Sequence, residues 1–310
     1  MALALGCLAA ARARATCRLG TFDLPVRMQG PQALVAVSID GRAARLLADS
    51  GTLYSTLSAQ GAALLRLSVS APPEPIMTQG VGGATPAAMT TARSFALGKA
   101  SLANVEFIVG GISPAGAVGV LGENVLGRFD TEYDFTHGLI RLVRARDCAH
   151  SDLAYWATAQ PHSMMALDRS AGSIDVPRGT AWLNGRPIRV LFDTGATHSL
   201  LTLRAAERAG VRPDSPGVMP GGELHGAGPH AIRSWIAPFA SFRIGDEEIL
   251  HTHLRVGDLG LPDTDMLLGA DFFLSHHVYI SASQHRAYFT YNGGPVFNLS
   301  APSTAPAANH

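Results

Sequence analysis

The chain predicts a mainly β protein with two β-rich lobes in tandem, and three observations carry this. Thirty-three glycines and 19 prolines punctuate many short apolar runs, the pattern of turns between strands. Asp40-Gly41 and Asn184-Gly185 each separate two apolar-rich runs, as in a two-residue β-hairpin. One succession of elements also occurs twice. The copies centre on Asp49-Ser50-Gly51 and Asp193-Thr194-Gly195, whose aspartates are 144 residues apart.

The elements repeat in order. A hairpin, ALVAVSIDGRAARLLADSG or IDVPRGTAWLNGRPIRVLFDTG, leads into each aspartate. A short helix candidate follows, at 58–67 and at 203–211. Next come glycine-rich segments at 78–86 and 221–230, then strand-like runs at 103–110 and 246–257. Each half then has an apolar pair ending in Leu-Gly, Leu121-Gly122 and Leu268-Gly269, and closes with a strand pair, 131–143 and 278–291. This places a first lobe at 25–145 and a second at 173–297. The segment 146–172 reads as a linker with a short helical turn, and 298–310 as a disordered tail.

Composition excludes several classes. Lysine plus arginine equals aspartate plus glutamate, 24 each, so no nucleic-acid or lipid-headgroup surface is expected. Charged residues make up 15% of the chain and mean hydropathy is +0.16, which excludes a disordered chain. No run reaches the ~20 apolar residues of a membrane-spanning helix. Residues 1–15 read as a cleaved export signal, with an apolar stretch and an Ala-x-Ala at Ala13 to Ala15, although the usual basic leader is missing. The expected location is therefore the periplasm or the exterior, with the cytoplasm as the alternative. Cleavage near Ala15 removes Cys7 and leaves Cys17 and Cys148, an even pair that an oxidising compartment would join.

Two aspartates from equivalent positions of two lobes can meet on a pseudo-two-fold axis. Like charges that close cannot both ionise, so such a pair shares one proton. One carboxylate then takes a proton from a water between them while the other donates to a substrate carbonyl. Gly51 and Gly195 allow a tight backbone path, and Ser50 and Thr194 carry hydroxyls suited to bonding across the lobe boundary. Thr197 or Ser199, and Ser55, are candidates to bond the carboxylates from outside. Gly80, Val81 and Gly82, and His225, Gly226, Ala227 and Gly228, suit mobile hairpin lids that touch substrate and exclude water.

These motifs resemble retropepsin-like aspartic proteases, in a duplicated single-chain form covering roughly Pro25 to Phe297. The resemblance implies the acid-protease fold: two closed β-barrels, each giving one catalytic aspartate, Asp49 and Asp193, with flaps over a cleft that takes an extended peptide. It implies no cofactor, no metal, a peptide or protein substrate, and a monomer whose lobes pair in cis. Thr52-Leu53 departs from the family, which usually has Ala at the first of these positions. Pepsin-like proteases also carry both motifs in one chain, but their halves are longer and no flap tyrosine is evident near Gly80.

Other readings stand beside this one. The fold could bind peptides without turnover, or the site could form between two chains. His251-x-His253 is a feasible metal pair on one strand face, but no carboxylate or cysteine joins it at metal spacing, and most histidines are expected at the surface. Asp130, Asp134 and Asp271 are expected in exposed pairs with Arg128 or Arg141. Trp156, Trp182 and Trp235 are expected to be packing residues.

Overall fold

A computed structural model describes residues 16–297 and 299, apart from 73, 112, 159, 170, 171 and 173. The expected export signal, and the expected tail other than Leu299, lie outside the described residues.

The first half runs β1 (Arg18–Gln29), β2 (Gln32–Ile39), β3 (Arg42–Ala48), β4 (Thr56–Leu57), α1 (Ala59–Leu64), β5 (Ile76–Gly80), β6 (Gly83–Leu97), β7 (Ala100–Val109), β8 (Gly119–Leu121), α2 (Glu123–Leu126), β9 (Asp130–Asp134) and β10 (Leu139–Arg146). The second half repeats it as β11 (Ser163–Ala166), β12 (Arg178–Leu183), β13 (Arg186–Phe192), β14 (Leu200–Thr202), α3 (Leu203–Arg208), β15 (Met219–Leu224), β16 (Ile232–Ile244), β17 (Glu247–Gly257), β18 (Met266–Leu268), α4 (Ala270–Ser275), β19 (His276–Ser281) and β20 (Arg286–Tyr291).

Strand order is the same in both lobes: β2-β3-β8-β4-β7-β6-β5 and β12-β13-β18-β14-β17-β16-β15. Pairing of β2 with β6, and of β12 with β16, closes each sheet into a barrel. The two expected hairpin turns form at Asp40 (φ 47°) and Gly41 (φ 78°), and at Asn184 (φ 47°) and Gly185 (φ 73°). Both central residues lie in the left-handed region, which the mirror-image turn demands and Asp-Gly or Asn-Gly tolerates. Each helix after an aspartate motif starts on a hydroxyl cap. The Ser58 side chain accepts from Gly61 N in α1, and Thr202 accepts from Ala205 N in α3.

The closing strands of both halves do more than finish their own lobes. They form one sheet across the molecule, β1-β10-β9-β19-β20-β11, with β9 and β19 antiparallel at its centre. The pseudo-two-fold axis passes between those two strands. β1 serves both sheets: Arg18 to Pro25 pair with β10, and Val26 to Gln29 pair with β2. The 146–172 segment contains β11, the copy of β1, and β1 itself begins at Arg18, ahead of Pro25.

The core is continuous from lobe to lobe. Tyr133 and Phe135 of the first half pack on Phe273 of the second, at ring-centroid distances of 5.2 and 5.8 Å. Asp130, expected at the surface, is buried and accepts from Tyr279 Oη (3.1 Å), Ser281 Oγ (2.8 Å) and Ser283 N (3.0 Å) of the other half. Arg141 pairs instead with Asp23 (2.6 Å) and Glu132 (3.3 Å). Two histidines at the same seam are exceptions to the surface expectation. His276 is fully buried with Nε2 3.1 Å from Glu247, and His277 lies 2.7 Å from Glu132 under the Trp156 ring. Cys17 and Cys148 form a disulfide that ties the start of β1 to the residues after β10. Among the described residues no helix is long and apolar enough to cross a membrane.

Candidate active site

β3 and β13 are each a strand of a barrel sheet, and each ends one residue before an aspartate. Parallel pairing with β8 and β18 fixes those ends: Asp49 N donates to Leu121 O (3.0 Å) and Asp193 N to Leu268 O (2.8 Å). The Leu-Gly elements thus anchor the backbone beneath the aspartates.

The two loops interlock. Ser50 N donates to Thr194 Oγ1 (3.0 Å), and Thr194 Oγ1 donates to Ala48 O (2.9 Å). In return Thr194 N donates to Ser50 Oγ (3.2 Å), and Ser50 Oγ donates to Phe192 O (2.8 Å). All four bonds are buried. Each hydroxyl acts once as acceptor and once as donor, so both hydroxyls are paired.

This exchange brings the carboxyls together. Each glycine faces the opposite aspartate: a Cβ on Gly51 would lie 2.5 Å from Asp193 Cγ, and one on Gly195 would collide with Asp49 Oδ2. Only glycine fits at either position. Burial raises the pKa of both; the negative charge of Asp49 raises Asp193 further, well above the usual carboxylate range.

The carboxylates are not held alike. Gly51 N donates to Asp49 Oδ1 (2.8 Å) and Thr52 Oγ1 to Asp49 Oδ2 (2.9 Å). Asp193 Oδ1 receives Gly195 N and Ala196 N, each at 3.0 Å. Donors to a carboxylate favour its ionised form. Thr52 gives Asp49 a hydroxyl donor that Ala196 denies Asp193. Ser55 and Ser199, expected at the carboxylates, are elsewhere: Ser55 Oγ donates to Asn124 Oδ1 (2.7 Å) and Ser199 Oγ to Asp271 Oδ1 (2.6 Å). Sequence reasoning flagged Thr52 only as a departure and missed its bond.

The glycine-rich segments form the tips of two hairpins, β5–β6 and β15–β16, and the tips meet. Gly228 N donates to Val81 O (2.8 Å) and His230 N to Gly82 O (3.1 Å). A Cβ on Gly80 would lie 2.7 Å from Ala227 Cβ, and one on Gly226 would lie 2.6 Å from Val81 Cβ. His225 is exposed, and the histidine at the contact is His230, through its backbone. Among the described residues no group of three or more His, Cys, Asp or Glu is placed to hold a metal ion.

Comparison with known proteins agrees with this geometry. A family model described as aspartyl protease matches twice, at residues 35–128 and 179–272. Among solved structures, an aspartic proteinase from Irpex lacteus is similar over 88% of this chain and 97% of its own, at 12% identity and a TM-score of 0.57. A retropepsin-like aspartic protease from Rickettsia conorii aligns with 42% of this chain and 94% of its own, at 19% identity and a TM-score of 0.31. No curated protein sequence matches. The two family matches cover more than half of the chain, each holding one Asp-hydroxyl-Gly loop. The chain belongs to the aspartyl protease family, in a duplicated single-chain form with one copy of the unit in each half, as its resemblance to retropepsin-like proteases implied.

Proposed function

We propose that the chain is an aspartic endopeptidase in which Asp49 and Asp193 share one proton and activate one water. The observation that carries this is the mutual approach of the two loops, which sets each glycine against the opposite carboxyl. Thr52 favours charge on Asp49, so Asp193 is the proton carrier of the resting pair.

The reaction follows from that assignment. A water between the carboxyls gives a proton to Asp49 as its oxygen bonds to the scissile carbonyl carbon. Asp193 delivers its proton to the carbonyl oxygen, giving a neutral geminal diol. Asp49 then passes its proton to the amide nitrogen and the C–N bond breaks. A diol hydroxyl returns a proton to Asp193 as the carboxylic acid product forms. No covalent intermediate arises.

The β5–β6 and β15–β16 hairpins act as two flaps. Two backbone bonds join their tips, so the tips part to admit an extended peptide and then offer it strand-like hydrogen bonds. Both aspartates come from one chain, so the site assembles in cis in a monomer. The Cys17–Cys148 disulfide suits a periplasmic or secreted protein.

The test is cleavage of a diverse peptide pool by wild type, Asp49→Asn and Asp193→Asn, from about pH 3 to about pH 7. Cleavage by wild type, with both variants reduced by about a hundredfold or more, is expected. Because burial and mutual charge raise the pair, activity extends above the usual carboxylate range before the shared proton is lost. Peptides that bind wild type without being cut would contradict the reading.

A further inference from the structure

Superposing the repeats singles out Glu123. It follows Leu121-Gly122 and opens α2; its counterpart after Leu268-Gly269 is Ala270. The fold therefore does not need a carboxyl there. Glu123 is nonetheless 9% exposed, and among the described residues its carboxyl oxygens have no hydrogen-bond or ion-pair partner. A buried carboxyl without a partner is costly. It is accommodated against Gly127, where a Cβ would lie 2.8 Å from Glu123 Oε2.

Glu123 lines a cavity of about 500 Å³ between α2, β7, the segment leading into β12, and the β19–β20 turn. Glu106, Asp168 and Asp175 also line it, with the Arg128 guanidinium and the His285 imidazole. His285 lies 3.8 Å from Asp175, and Arg128 Nε is bonded to Asn124 O (2.9 Å). The cavity adjoins the Asp49 loop. Tyr54 lines it, and Glu123 N and Asn124 N donate to Thr52 O (2.9 Å) and Leu53 O (2.8 Å) of that loop.

We propose that this cavity is a binding site for a guanidinium or ammonium group, supplied by an arginine or lysine side chain of the substrate peptide, with Glu123 as its ion-pair partner. The substrate assignment rests on the endopeptidase reading; the cation site does not. Burial, and after it the charge of Asp49, raise the pKa of Glu123 well above the carboxylate range, so the empty site favours its neutral form. An arriving cation replaces that proton. The attraction between the cation and the carboxylate then offsets the cost of desolvating both.

The test uses peptides identical except for one position near the cleavage site, carrying Arg, Lys, citrulline or norleucine in turn. Wild type, Glu123→Gln and Glu123→Ala are compared. Glu123→Ala copies the second lobe and is expected to fold. Wild type should prefer Arg and Lys over citrulline by about tenfold or more in kcat/KM, and both variants should lose that preference, read as the Arg-to-citrulline and Arg-to-norleucine ratios within each enzyme. A preference retained by Glu123→Gln, or none in wild type, would overturn the proposal. Binding of the same peptides to Asp193→Asn, by calorimetry, separates the two readings. If nothing is cut, the endopeptidase reading fails, and an Arg-over-citrulline difference in binding that Glu123→Gln abolishes still decides for the cation site. Free arginine amide binding as tightly as the Arg peptide would show a small-cation site and overturn the substrate assignment.

Discussion

The two lobes are alike where they touch each other and unlike behind that contact. At the seam, the Ser50 and Thr194 loops exchange the same two bonds in each direction, four in all. One layer back, the first lobe joins Ser55 to the amide of Asn124, whose Nδ2 donates to Glu106 O (2.9 Å). The second lobe joins Ser199 to the carboxylate of Asp271, which has no hydrogen to give. It instead lies within the field of Arg255, a fully buried arginine in the place of Ile108. Duplication freed each support to diverge while the interlocked loops kept their symmetry. A neutral support and a charged one hold two equivalent aspartates.

Making the lobes alike breaks this comparison most severely. Arg255→Ile copies the first lobe but strips Asp271 of its positive neighbour and Gly221 O of its Nη1 donor, and should cost about 3–5 kcal/mol in denaturant unfolding. Adding Asp271→Asn completes the copy and should restore much of the loss. If the single variant is as stable as wild type, the charge of Arg255 does not support that loop.

Cutting the symmetric seam should cost less. Thr194→Val removes two buried bonds and leaves Ser50 N unmet, for a loss of about 1–3 kcal/mol. Ser50→Ala should cost a similar amount because it removes the reciprocal pair. A large difference between the two variants would show that the exchange is not balanced.

The pH dependence of stability sharpens the contrast between Glu123 and Ala270. The pKa of Glu123 is raised on folding, so the folded chain holds a proton that the unfolded chain has released. Stability from this group is intact at low pH and falls as pH rises from about 4 toward the folded value. Asp49 and Asp193 add the same sign. Melting temperatures of Glu123→Ala should therefore fall less steeply with rising pH than those of wild type. An unchanged slope would mean that Glu123 is already ionised in the fold.

The smallest effect expected is from Thr52→Ala, which makes the first loop resemble the second. Loss of one hydroxyl donor to Asp49 should move the acid limb of the pH–rate profile upward by up to about one unit. A downward move would reverse the assignment of the resting charge.

Much of this architecture was legible in the sequence. The hairpin turns declare themselves through Asp40-Gly41 and Asn184-Gly185, because few residues accept two left-handed positions in succession. The aspartate loops declare themselves through repetition. What stayed hidden is what one repeat lends the other. β11 is four residues long, and its sequence Ser-Met-Met-Ala has no alternation to mark it, so its role appears only once β20 pairs with it. Asp130 and His276 read as surface residues because their partners, Tyr279 and Glu247, are far away in the chain. Arg255 and Glu123 were within reach, since aligning the two halves position by position sets a charge against Ile108 and against Ala270.

The most direct test of a single site built from both lobes of one chain is complementation. Asp49→Asn and Asp193→Asn are purified separately, mixed in equal amounts at rising concentration, and assayed for peptide cleavage. With both aspartates supplied in cis, no mixed assembly holds an intact pair, and the mixture should stay as inactive as either variant alone. Activity that recovers on mixing and grows with concentration would place the two aspartates on different chains and contradict the account.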